Sequence, residues 1–192
     1  MIQLASKLII LDRDGVINED RDDYVKSRDE WIPIPQSLEA IALLSQAGYL
    51  LTVATNQSGI GRGYYSVSEL HAMHQKMMDL LKPLGGKIDS FFFCPHVDED
   101  QCECRKPKPG LMREIASRYL KDRGTQELPL KDIPIVGDSL RDLLAGTTLG
   151  ATPHLVLTGK GQKVKKEDLN KLNGYWEIKQ VTLADGQTKD YK

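Results

Sequence analysis

The chain has 192 residues, 40% of them apolar and 28% charged, with a formal net charge of −1. Such a length and composition suit one globular domain with its own core, and the small net charge argues against a broad nucleic-acid surface, so any anion must be held by a local group of donors. The longest apolar runs are too short to cross a bilayer and the first residues lack a signal-peptide pattern, so a cytoplasmic monomer with no membrane or nucleic-acid partner is expected.

In chain order, Leu8-Ile9-Ile10-Leu11 is an apolar run that stops at Asp12-Arg13-Asp14-Gly15. It reads as a buried strand of a parallel sheet, whose two covered faces need no alternation. Residues 19–35 are charged and turn-rich, and Leu38, Ile41, Ala42 and Leu44 then fall at helical spacing between Ser37 and the stop at Gly48. Leu50–Ala54 predicts a second strand, which runs into the polar Thr55-Asn56-Gln57-Ser58-Gly59. Ser66 or Ser68 can cap the next helix, through Leu70, Met73, Met77 and Leu81 to Pro83, with its methionines as core filler. Ile88–Phe93 predicts a third strand, and Pro109 opens a helix as its first residue, running through Leu111 and Ile115 to Leu120. Ile133–Val136 is the fourth strand, ending in Gly137-Asp138-Ser139; a short helix to about Gly146 and a fifth strand at Thr152–Leu157 follow. Strands alternating with helices predict a doubly wound parallel α/β fold, one domain over residues 1–192 with its core at about 7–158. From Gly159 the tail holds Lys160, Lys163, Lys165, Lys166 and Lys171, which read as a solvated face, and the last dozen residues read as frayed.

In a parallel sheet the carboxyl ends of all strands share one edge, where open α/β folds bind their ligands. That edge should therefore collect Asp12 and Asp14, Thr55 and Asn56, the loop from Cys94 to Lys106, and Asp138 and Ser139 with Asp142. Carboxylates, a hydroxyl, an amide and a lysine suit phosphoryl transfer: a carboxylate attacks phosphorus, carboxylate oxygens hold Mg²⁺, and lysine and hydroxyl donors hold the phosphoryl oxygens. The three cysteines, Cys94, Cys102 and Cys104, lie within eleven residues of one another, with His96 among them. An odd count in a chain without an export pattern makes disulfides a poor explanation, whereas three thiolates and an imidazole suit tetrahedral Zn²⁺. A closed zinc site there would be structural and would fix a loop at residues 94–106 that aims Arg105 and Lys106.

The order Asp12-x-Asp14, Thr55-Asn56, Lys106, Gly137-Asp138 resembles the haloacid dehalogenase superfamily of phosphatases over residues 8–157, which implies a Rossmann-like fold, here without a large cap domain. By that resemblance Asp12 is the nucleophile and Asp14 the acid and then the base. Thr55 and Lys106 bind the phosphoryl group, and Mg²⁺ is held by Asp12, Asp138 and the main-chain carbonyl of Asp14. Asp12-Arg13-Asp14-Gly15-Val16-Ile17-Asn18, Thr55-Asn56-Gln57-Ser58-Gly59-Ile60 and Cys104-Arg105-Lys106-Pro107 resemble, more narrowly, the bacterial heptose 1,7-bisphosphate 7-phosphatases. Those enzymes remove the C7 phosphate on the way to the nucleotide-activated heptose of lipopolysaccharide core or surface glycans. The resemblance makes a small sugar bisphosphate the partner and Asp20, Tyr24, Thr55, Asn56, Gln57, Ser58 and Arg105 its contacts, although the segment from Asp20 to Tyr24 is one residue longer than that family's pattern. The short zinc loop is also found in the related histidinol-phosphate phosphatases, the second reading; Arg62 in Gly59-Ile60-Gly61-Arg62-Gly63-Tyr64 favours the heptose enzymes. A zinc-stabilised binding module without turnover is the remaining alternative.

Overall fold

The computed structural model describes residues 7–120, 129–164, 168, 180–182 and 188–190. Five parallel strands, β1 (Leu8–Leu11), β2 (Leu50–Asn56), β3 (Ser90–Cys94), β4 (Pro134–Gly137) and β5 (Thr152–Leu155), form one sheet in the order β3-β2-β1-β4-β5. The chain builds outward from β1 to β3 on one side and then from β4 to β5 on the other. The order reverses between β1 and β4, the place where an open α/β sheet leaves a crevice at its carboxyl edge.

Both faces are covered, which is why β1 needs no polar residue. Leu8 and Ile10 pack with Met112, Ile115 and Leu130 beneath α4 (Gly110–Tyr119) and α5 (Leu140–Thr147). Ile9 and Leu11 point the other way, into Trp31, Met73 and Met77 beneath α1 (Ser37–Gln46) and α3 (Val67–Leu81). Between β2 and α3 lies α2, a single turn at Ser58–Gly61. Ser66, rather than Ser68, caps α3, its hydroxyl accepting from the Glu69 N–H at 3.2 Å.

Three expectations need correction. β2 runs two residues further than the expected Leu50–Ala54, because Thr55 and Asn56 pair with Phe93 and Cys94 of β3 and continue the ladder. Pro109 flanks α4 instead of opening it, with Gly110 as the first helical residue. The terminus is not frayed throughout: Gln180–Thr182 (β6) and Thr188–Asp190 (β7) pair antiparallel. Lys165, Lys166 and Lys171 lie outside the described residues. No helix among the described residues is long and apolar enough to cross a membrane.

Candidate active site

Asp12 continues the line of β1, its N–H donating to the Val136 carbonyl of β4 at 2.9 Å. Its Oδ1 meets the Lys106 ammonium at 2.8 Å, and the same Nζ reaches Asp142 Oδ1 at 2.7 Å and donates to the Ala54 carbonyl at 2.7 Å. All three side chains are buried. Burial draws the proton affinity of Lys106 down, but the charges of Asp12 and Asp142 outweigh it and hold the ammonium above its ordinary range. The lysine comes from the loop after β3 and is held by its backbone: Lys106 N–H donates to Asn56 Oδ1 and Asn56 Nδ2 donates to the Lys106 carbonyl, each at 3.0 Å. The Asn56 amide, expected on substrate, also places Lys106.

Asp12, Asp138 and Asp142 each bring a carboxylate oxygen within 4.8 Å of the others. Burial, with the charge of Asp142, pushes Asp12 up to about 7 against the opposing pull of Lys106. Burial likewise pushes Asp138 up to about 6, helped by Asp142 and Asp20. Buried acids that gather protons in this way surround a point short of positive charge, and hard carboxylate oxygens are the ligands Mg²⁺ prefers, so the residues fit a divalent cation. Asp142 Oδ1 is taken by Lys106 and its Oδ2 by the Ser139 N–H and hydroxyl, which leaves Asp12 and Asp138 as the side chains with oxygens to offer.

The Asp14 carboxylate faces elsewhere. Its Oδ1 accepts from Arg13 Nη2 at 2.7 Å and Asn18 Nδ2 at 2.9 Å, and its Oδ2 from Gln57 Nε2 at 2.9 Å. Burial pushes this carboxyl up, yet the Arg13 guanidinium and the surrounding donors overcome that and hold it below its ordinary value. Gln57 Nε2 also donates to Thr55 Oγ1 at 2.7 Å, while Tyr65 donates to Gln57 Oε1 at 2.6 Å. Having accepted one bond from Gln57, the Thr55 hydroxyl keeps its O–H to donate in the cleft it lines.

The cleft between these groups measures about 190 Å³ and is lined by every substrate contact expected from sequence: Asp20, Tyr24, Thr55, Asn56, Gln57, Ser58, Arg105 and Lys106. That is below the roughly 300–1,000 Å³ of drug-sized pockets, so a small ligand fits best. Tyr24 sits at φ 69°, its ring edge-on to Tyr64 at 5.2 Å. Arg105 is turned toward Asp98 on the rim. Arg13, Arg141 and Lys160 also line the cleft and had no assigned role; Lys160, read as part of a solvated face, is partly exposed but turned toward Asp20. For Arg13 and Arg141 the signal was their position beside Asp14 and Asp142. For Lys160 nothing local distinguished it from the other lysines of the tail.

The cysteine loop closes on itself. Cys104 Sγ lies 3.1 Å from Cys94 Sγ and 3.5 Å from Cys102 Sγ, and His96 Nδ1 lies 3.3 Å from Cys104 Sγ and 3.6 Å from Cys94 Sγ. No disulfide joins these thiols. Zn–S bonds of about 2.3 Å set tetrahedral edges near 3.8 Å, so the four atoms need only a small expansion to hold Zn²⁺. Burial pushes the Cys94 thiol well above its ordinary value, and a bound cation would be needed to keep it as thiolate.

Comparisons with known proteins agree with this geometry. Residues 103–182 match a HAD-hydrolase-like family model. A protein of Neisseria meningitidis serogroup A named D-glycero-beta-D-manno-heptose-1,7-bisphosphate 7-phosphatase is 52% identical over 181 residues, 94% of this chain and 93% of that one. A Pseudomonas aeruginosa protein of the same name is 52% identical over 158 residues, 82% of this chain and 85% of that one. The crystal structure of D,D-heptose 1,7-bisphosphate phosphatase from Bordetella bronchiseptica, complexed with magnesium and phosphate, superposes with a TM-score of 0.77 at 52% identity, covering 82% of this chain and 84% of that chain.

Proposed function

The chain belongs to the heptose-1,7-bisphosphate 7-phosphatase family of haloacid dehalogenase-like hydrolases, and from that premise we infer that it hydrolyses the C7 phosphate of D-glycero-β-D-manno-heptose 1,7-bisphosphate, leaving the 1-phosphate. The observation that carries the chemistry is the buried Lys106 ammonium bridging Asp12 and Asp142 beside an anionic Asp14.

Asp12 attacks phosphorus and forms an aspartyl-phosphate while the C7 oxygen leaves. The Thr55 hydroxyl holds a phosphoryl oxygen, and Lys106 turns the N–H that meets Asp12 to another as Asp12 attacks. Asp14 starts as the anion; the arrival of a negatively charged phosphoryl group raises its affinity for a proton, it takes that proton from solvent water as the substrate binds, and it delivers it to the departing alkoxide. The regenerated carboxylate then takes a proton from the water that cleaves the aspartyl-phosphate, releasing phosphate and free Asp12. Mg²⁺, when held by Asp12, Asp138 and the main chain at Asp14, supplies positive charge against the phosphoryl oxygens and keeps Asp12 ionised. The same reading includes Zn²⁺ on Cys94, His96, Cys102 and Cys104, a single domain, a monomer and a cytoplasmic location.

The test is Mg²⁺-dependent phosphate release from both anomers of heptose 1,7-bisphosphate beside histidinol phosphate. The β-bisphosphate should show the highest kcat/KM; a higher value for histidinol phosphate would overturn the assignment.

A further inference from the structure

After β5 the chain turns back to the cleft at Thr158-Gly159-Lys160, and each of the three residues makes a different attachment. The Thr158 hydroxyl donates to the Gly15 carbonyl at 2.6 Å. Gly159 has φ +54°, and a Cβ there would run into the Asp138 carboxylate and come within 2.6 Å of Gly15 Cα, so only glycine lets the main chain pass this close. Lys160 N–H donates to Asp138 Oδ2 at 2.7 Å. Its ammonium reaches across the cleft to Asp20 Oδ2, also at 2.7 Å, and Asp20 belongs to the loop that follows β1. One residue therefore steadies a candidate cation ligand through its backbone and a candidate substrate contact through its side chain.

The side-chain pair is open to solvent, with Lys160 at 40% and Asp20 at 17% exposure, so it adds little to folding. Its effect is on direction. A partly exposed carboxylate on a loop turns among several rotamers unless a fixed partner holds it. Lys160 neutralises Asp20 and holds it by one oxygen, which leaves the other oxygen as an acceptor for a hydroxyl on a ligand in the cleft.

We propose that Lys160 is a positioning residue that sets specificity: its ammonium aims the Asp20 carboxylate at hydroxyls on the sugar of the substrate. The inference rests on the sugar-bisphosphate reading of the cleft. The measured quantity is selectivity, the kcat/KM for heptose 1,7-bisphosphate divided by that for p-nitrophenyl phosphate, which has no hydroxyls to offer. A lost hydrogen bond to a charged group is worth about tenfold. Lys160→Met should lower the ratio by about that factor, through KM for the sugar substrate, and Lys160→Arg should restore most of it. Asp20→Asn should lower the ratio similarly, and adding Lys160→Met to it should lower it little further. A wild-type ratio in Lys160→Met, a fall in kcat shared by both substrates, or fully additive losses in the double variant would overturn the proposal. Wild-type enzyme that turns over p-nitrophenyl phosphate but not heptose bisphosphate would instead overturn the substrate assignment; the same ratio is then read with the polyol phosphate that wild type prefers.

Discussion

The two candidate cation sites are built on opposite plans. The carboxylate centre draws Asp12 from the end of β1 and Asp138 from the end of β4, so the sheet itself brings together residues far apart in the chain. The cysteine site takes all its ligands from Cys94 to Cys104, most of them beyond the last residue of β3. In the first, the fold sets the geometry and the ion supplies charge; in the second, the ion sets the geometry of a loop. The lesson is that losing the ion should cost chemistry at one site and structure at the other.

The largest expected effect is at the nucleophile. Asp12→Asn should lower turnover of any phosphomonoester by about 10⁴-fold or more, as removal of a covalent nucleophile does, while the Bordetella-like fold persists by circular dichroism. Residual turnover within tenfold of wild type would mean that Asp12 is not the attacking group. Next is Lys106→Met, which leaves Asp12 and Asp142 buried without their shared counter-charge. Breaking such a pair costs about 3–5 kcal/mol, so the variant should lose activity and also melt about 10 °C lower. A Tm equal to wild type would show that the buried ammonium matters to the reaction alone.

The direct comparison comes from the metals. Protein purified without added metal should carry about one zinc per chain by elemental analysis. Cys102→Ser with Cys104→Ser should remove it, loosen the loop and reduce activity by about tenfold, because Arg105 and Lys106 follow directly on Cys104. Brief treatment with a magnesium-selective wash should instead abolish turnover reversibly with little change in Tm. If the serine variant kept both full zinc and full activity, the contrast between the sites would fail.

These sites also differed in how far they could be read in advance. Cys-x-His and Cys-x-Cys within eleven residues announce a ligand set by local spacing alone. The acidic centre needed the inference that all strand ends share an edge, and the observed order β3-β2-β1-β4-β5 meets it. What escaped was set by partners distant in sequence. Asn56 clamps the backbone of Lys106, fifty residues away. Asp142 orients that lysine from the first turn of α5, and was grouped with the cleft in sequence without a task. Asp14 is held as an anion by Arg13, Asn18 and Gln57, a balance that no motif spells out. Met73, read as filler, is fully buried, yet its sulfur also meets Arg13 Nη1 at 3.8 Å.

The smallest effect serves as a control. His74 on α3 is buried and stacked on Phe91 at 4.1 Å between ring centres. Burial, with the nearby Arg13 charge, pushes it down to about 3 from an ordinary value near 6.5. As pH falls below 6.5 the unfolded chain takes up this proton and the folded chain does not, so stability declines from there toward pH 3. His74→Phe should flatten the pH dependence of Tm between 7 and 5 while the acid limb of the activity profile keeps its shape. If that limb shifted with Tm, loss of activity in acid would be unfolding rather than carboxylate chemistry.

The central place of β1 bears on how the chain is made. While it emerges from the ribosome, Leu8–Leu11 can pair with β2 on one side only, since its other neighbour begins at Pro134. Until then an apolar strand with an open edge is exposed to other nascent chains, the usual starting point for aggregation during synthesis. Truncations that stop short of β4 should accumulate in inclusion bodies, and slowing translation downstream of β3 should lower the soluble yield of the intact protein.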